Sequence, residues 1–310
     1  MKRLNILWSY AYLKNEKSYS LIRALPEVSN ILIDCGAFTA WMTGKEITIE
    51  KYIEVCKQRF HGKVWQYIAL DKIRVPAETR TNLAKMLDAG LTPMPVYVEG
   101  MDLTEIPVMV KLNQHICVPG GTKSSNDFIH HRIQSAHKAS EGKAKIHALG
   151  FLRFPDVFQL PLFSGDSSSY SASSRFGKFF RFSPRTGPSS HSFEKVTKSQ
   201  EFLQYINRCN VPKDLLYSKM FNSGEKSFLV LNTVFIHIQY SRFCLERGFK
   251  YFWAISEIAW VNKIAAVLNA WQVDHFDYPL ALETFDHLQK LTQNNDERYE
   301  SLVIDLLRKY

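Results

Sequence analysis

Four acidic residues close short apolar runs in this chain. Asp34 ends Ile31-Leu32-Ile33-Asp34, Asp71 ends Tyr67-Ile68-Ala69-Leu70-Asp71, Glu99 ends Pro95-Val96-Tyr97-Val98-Glu99, and Asp166 lies in Phe163-Ser164-Gly165-Asp166. A carboxylate can attack as a nucleophile, pass a proton in either direction or accept hydrogen bonds from a ligand, and its surroundings decide which. Taken singly, an acid at a strand end is more often a helix cap or an Asx turn. Four of them at strand ends fit the way an eight-stranded β/α barrel assembles an active site on one face, so the chain reads as an enzyme.

The elements that must position these acids follow from hydrophobic periodicity. Strand-like runs at 4–10, 31–34, 65–71, 93–99, 115–119, 145–150, 160–166 and 178–182 alternate with helical stretches at 49–59, 77–89, 102–111 and 124–139. Eight strands predict a (β/α)8 TIM-like barrel over residues 1–190, lean between strands six and seven, where 154–158 supplies at most one helical turn. An open doubly wound sheet is the competing arrangement, but no Gly-x-Gly-x-x-Gly turn follows any strand. Residues 186–192 read as a polar linker. Beyond it, 191–310 reads as a helical C-terminal region packed on the barrel, with helices at 199–208, 227–247, 251–271, 279–293 and 296–309.

At 310 residues the chain can bury a large core without disulfides or metal. Its five cysteines are scattered, odd in number and never spaced Cys-x-x-Cys, which excludes a disulfide framework and a zinc ribbon. No cofactor or metal is expected. The N-terminus lacks a cleavage signal and no run of about 18 apolar residues is evident, so the expectation is a soluble, cytoplasmic protein without a membrane partner. A net charge of +9 favours a polyanionic partner. Some of that charge lies after Asp166, where Arg175, Lys178, Arg181 and Arg185 interleave with four phenylalanines. Cations of this kind grip phosphates, and the phenylalanines either stack on bases or form the core face of a strand.

In chain order these motifs resemble those of the tRNA-guanine transglycosylases. Asp34-Cys35-Gly36-Ala37-Phe38-Thr39 is similar to that family's Asp-Ser-Gly-Gly-Phe-Gln signature, and Asp71 falls where its second acid sits. Val98-Glu99-Gly100 resembles its Val-Gln-Gly, Gly120-Gly121 its glycine pair, and Asp166 its nucleophile strand. The likeness covers about residues 30–185. The lean form, with His147-Ala148-Leu149-Gly150 ahead of Gly165-Asp166-Ser167, looks most like the phage and bacterial branch that inserts 7-deazaguanines into DNA.

The resemblance implies a base exchange in which Asp166 attacks C1′ and Asp34 is the general acid/base. Asp71 would accept from the N1–H and 2-amino donors of guanine. Glu99, Gly120, Gly121 and Phe38 complete the base-binding set it implies, with Glu99 replacing a glutamine that can also donate. The expected partners are guanine-containing DNA, from which the nucleoside is flipped, and a free 7-deazaguanine base, with or without a helper protein; Lys219, Lys226, Arg242 and Arg247 of the helical half are further phosphate-contact expectations. Two departures concern tRNA docking: the family's Cys-x-Cys-x-x-Cys zinc cluster is absent, and its Pro-Thr-Arg segment is replaced by Ser171-Ala172-Ser173-Ser174-Arg175. Three alternatives use the same residues: a tRNA enzyme, a barrel DNA glycosylase or glycoside hydrolase in which water resolves the intermediate, and a non-catalytic nucleic-acid-binding relative.

Overall fold

The computed structural model describes residues 4–12, 16–59, 62–120, 125–168, 177–217 and 227–309. The chain opens with β1 (Leu4–Ser9), α1 (Glu16–Ala24), β2 (Val28–Asp34), α2 (Ala37–Thr43), α3 (Ile49–Arg59), β3 (Val64–Tyr67), α4 (Pro76–Asp88), α5 (Glu105–Leu112), β4 (His115–Pro119) and α6 (Asn126–Ala139). It continues through β5 (Lys145–Leu149), α7 (Asp156–Gln159), β6 (Leu162–Ser167), β7 (Lys178–Ser183), β8 (Gly187–Ser192), α8 (Phe193–Val196) and α9 (Gln200–Arg208). The last part contains α10 (Phe228–Glu246), β9 (Lys250–Ile255), α11 (Ile258–Asn269), α12 (Tyr278–Gln293) and α13 (Arg298–Leu307).

Seven strands form one curled parallel sheet in the order β3-β2-β1-β9-β6-β5-β4. A parallel sheet is covered on both faces, so its strands need nearly continuous apolar runs. Ile31, Leu32 and Ile33 of β2 and Tyr251, Phe252 and Trp253 of β9 meet that demand and are fully buried. Helix starts are written into the sequence: Ser125, Ser199, Ser227 and Asp277 each accept from a backbone N–H three residues on, satisfying a donor the helix cannot. Between the two edge strands runs the segment 94–97. Met94 exchanges backbone hydrogen bonds with Tyr67 and Ala69 on one side (2.8 and 2.9 Å), and Cys117 does so with Pro95 and Tyr97 on the other (2.8 and 2.9 Å). Both contacts are parallel bridges.

Several expected elements are placed differently. Residues 178–182 do not join the main sheet: β7 pairs antiparallel with β8, and β8 occupies the stretch read as a linker. The strand between β6 and β1 is instead β9, from a stretch read as the start of a helix over 251–271. That helix is shortened to α11. The run 93–99 contributes bridging residues rather than a strand, because Pro93 and Pro95 lack the N–H a regular ladder needs. The sheet therefore draws one strand from the half expected to be a helical extension.

Among the described residues one helix, α10, is long and apolar enough by length and composition to cross a membrane, contrary to the expectation that no such run exists, and it is mostly buried within the fold. It packs against β7 and β9. Buried Asn232 ties the hairpin to it, donating to the Phe180 carbonyl (2.9 Å) and accepting from the Tyr205 hydroxyl (2.8 Å). Gly187, with φ of +67°, seats the hairpin turn directly on Phe154; a Cβ there would fall 2.3 Å from that ring.

Candidate active site

Asp34 is the last residue of β2, Asp166 the next to last of β6, and Asp71 follows β3 by four residues. Parallel strands put their C-terminal ends on one edge, so all three carboxylates reach the same rim. The charges of Asp166 and Asp71 both raise the Asp34 carboxyl. Beneath them lies the buried Cys117 thiol, pushed well above its usual range by burial and then by the charges of Asp71, Asp166 and Asp34. The sheet thus brings three of the four expected acids to one place.

Their surroundings differ. Burial pushes Asp34 up from the ordinary 3.8 to about 7, a rise opposed by the Ser9 hydroxyl and by the Gly36 N–H, which donates to Oδ2 at 3.1 Å. Gly36 makes this turn with φ of +80°, and a Cβ on it would press on the Ala11 nitrogen and Ser9 Oγ at 3.2 and 3.3 Å. Asp71 is also raised by burial, with the Cys35 thiol opposing that shift through an Sγ donation to Oδ1 at 3.1 Å. Burial and the two neighbouring carboxylates keep the Cys35 thiol protonated, which makes it a donor.

Asp166 is held as an acceptor. Its Oδ1 takes the Gly150 N–H at 2.9 Å and faces His147 Nε2 at 3.3 Å. The other ring nitrogen, Nδ1, lies 2.8 Å from the Ser164 hydroxyl. With Nε2 donating to the carboxylate, the Ser164 hydroxyl completes the ring's hydrogen bonding at Nδ1. His147 is fully buried, and the Phe252 ring stands edge-on to it with centroids 5.7 Å apart. The sequence reading missed this histidine as a site residue. Its signal was position, since His147 lies two residues before the end of a core strand, where a buried imidazole needs partners.

The remaining expected residues are more scattered. Glu99 is exposed and paired with Arg74 at 3.1 Å, away from the buried carboxylates. The Gly120 N–H, expected to meet a purine, is committed to the Leu149 carbonyl at 2.9 Å, because it continues the β4–β5 ladder. Phe38 is 57% exposed on α2, its ring 6.2 Å from that of Trp41, also exposed. Gly121, Arg175, Lys219 and Lys226 lie outside the described residues. Lys178 and Arg181 stand on β7, where Arg181 meets Glu201 at 3.1 Å, and Arg185 is exposed in the β7–β8 turn. Phe179 and Phe180 are buried, the core-face alternative for that stretch. Arg242 and Arg247 cover the rings of Trp271 and Phe243.

Among the described residues no group of three His, Cys, Asp or Glu side chains is arranged to hold a metal ion. Comparison with known proteins finds no family model and no curated protein that matches this chain.

Proposed function

We propose that this protein is a transglycosylase that exchanges guanine in DNA for a 7-deazaguanine base, on a barrel closed by the segment 94–97 as its eighth stave. The observation that carries the reading is the gathering of three carboxylates at one rim, where Asp34 is raised by burial and by the charges of Asp166 and Asp71 and Asp166 is held by the Gly150 N–H and His147. A raised carboxyl fits the proton donor, and a carboxylate oriented by hydrogen-bond donors fits the nucleophile. The backbone bonds from Met94 and Cys117 to either side support the closure, since they supply the hydrogen bonds that two open edges would lack.

In this reading Asp166 attacks C1′ and the C1′–N9 bond breaks. The transition state is oxocarbenium-like, and an ionised carboxylate stabilises it before forming the ester. Gly150 and His147 hold the attacking carboxylate in orientation. Asp34, protonated near neutrality, gives its proton to the departing guanine. The incoming base returns a proton to Asp34 as its N9 bonds to C1′, releasing Asp166 as a carboxylate. Asp71 accepts from the guanine N1–H and 2-amino group, and those donors favour its ionised form against the burial that opposes it. Phe38, exposed at the start of α2 just beyond Asp34, offers a ring to the base.

The test is incorporation of labelled guanine into duplex DNA, single-stranded DNA and tRNA by the wild type and by Asp166→Ala. Label entering DNA and disappearing in the variant is the expected result. Label in tRNA alone would transfer the same chemistry to another substrate. Release of free guanine with no incorporation would replace exchange by hydrolysis.

A further inference from the structure

The β7–β8 hairpin carries a second site. A cavity of about 460 Å³ opens on its outer side, lined by Lys178 and Arg181 of β7, by Ser190 and His191 of β8, and by Lys195 and Ser199 beyond. Three cations face one carboxylate, Glu201, in that wall. Ser199 caps α9, a nine-residue helix that begins at the cavity and directs its positive end there. His191 is held below its usual range by burial and by Arg181, so it adds a neutral ring rather than a fourth charge.

A rigid wall separates this cleft from an ordinary solvated face. Its β7 wall is fixed, because Asn232 holds the Phe180 carbonyl and Phe179 packs edge-on against Phe202 of α9 with centroids 5.0 Å apart. Ser190 also borders a second cavity of about 290 Å³ whose wall includes Ser167, a residue that alternates to the face of β6 opposite Asp166.

We propose that the cleft formed by Lys178, Arg181, Lys195 and Ser199 binds the phosphodiester backbone of the DNA on which the exchange acts. The inference rests on the exchange reading above and adds the place where the backbone is gripped. Arg181 releases Glu201 when a phosphate arrives; the Glu201 side chain is 81% exposed, so its pairing is solvent-screened and readily exchanged. A guanidinium grips phosphate oxygens bidentately, and the two ammonium groups act as point charges on either side.

The experiment measures binding of a guanine-containing duplex, the same strand alone and an unmodified tRNA by fluorescence anisotropy across a salt series. It uses wild type, Lys178→Ala/Lys195→Ala, Lys178→Arg/Lys195→Arg and Asp166→Ala. Removing two phosphate contacts should weaken duplex binding about tenfold or more at moderate salt and flatten the log–log salt slope by about 1.8. The arginine pair should restore both, and Asp166→Ala should bind as wild type does. In exchange assays the alanine pair should raise KM for DNA and leave kcat unchanged. Wild-type binding that the alanine pair leaves intact, in both affinity and slope, overturns the cleft and spares the exchange reading. Tighter binding of tRNA, lost in the alanine pair, overturns DNA as the occupant of the cleft. Failure of the wild type to bind any of the three overturns both proposals.

Discussion

Asp34 and Asp166 are chemically identical side chains at the ends of parallel strands, and the atoms around each make them different groups. Asp166 receives two donors, whereas Asp34 is pushed to about 7 by burial and neighbouring charge. A carboxyl that titrates near 4 when unfolded and near 7 when folded binds a proton in the native state that the unfolded chain has lost. Its stabilising contribution is therefore complete below about 4 and is lost as pH rises through about 7. Asp34→Asn should flatten the decline in stability between about pH 4 and 7 and raise the urea midpoint at pH 8; an unchanged decline would remove Asp34 from the role of proton donor. In exchange assays the wild-type rate should fall as pH rises past about 7. At His147 the expectation is mechanical: His147→Ala deprives Asp166 of one donor and leaves the Gly150 N–H, so kcat should drop about 10–100-fold while KM for DNA stays near wild type. Phe38 tests the base platform, since its exposure predicts that Phe38→Ala changes stability by less than about 0.5 kcal/mol. A lost stack of about 1–3 kcal/mol should then show as weaker substrate binding alone.

At the scale of elements, β9 shows what the sequence made legible and what it concealed. The runs ending in Asp34, Asp71 and Asp166 were readable because a strand buried on both faces is apolar along its length and stops at a polar residue. The run Tyr251-Phe252-Trp253-Ala254-Ile255 has the same character, but it continues into Ile258–Asn269 with few breaks, so helix and strand periods merge there. Conversely, Lys178–Ser183 alternates as a strand should, and nothing local distinguishes a barrel stave from one arm of a hairpin. That distinction is made by Asn232 and by Gly187 on Phe154, contacts 52 and 33 residues distant in sequence. The site divides along the same line: carboxylates at strand ends were legible, whereas the His147–Ser164 support required knowing that β5 and β6 are neighbours. Phe252 links the two levels, stacking on Trp65 with centroids 5.6 Å apart and standing edge-on to His147. Phe252→Ala should cost about 3–5 kcal/mol of stability, read from denaturant unfolding; a cost below about 1 kcal/mol would mean that β9 does not pack as described.

For the whole molecule, the position of β9 decides how the chain can be divided. A barrel completed by residue 190 would let 1–190 fold alone with the remaining helices as an accessory. In the sheet order, however, β9 lies between β1 and β6, pairing with both over four residues each. Removing it leaves two facing edges and takes Tyr251, Phe252, Trp253 and Ile255 out of the core. At about 1.5–3 kcal/mol for each such side chain, the lost burial is ~6–12 kcal/mol. A whole domain is stable by only about 5–15 kcal/mol. A fragment ending at 190 should therefore show no cooperative thermal transition and no protected amides in β1 or β6, while the intact chain melts as one unit. The carboxylates would separate with it, because β1 and β9 are what hold β2, with Asp34, at a fixed distance from β6, with Asp166. A fragment that unfolds cooperatively and protects β6 amides against exchange would show instead that the two halves are energetically independent, and that β9 docks onto a sheet already formed.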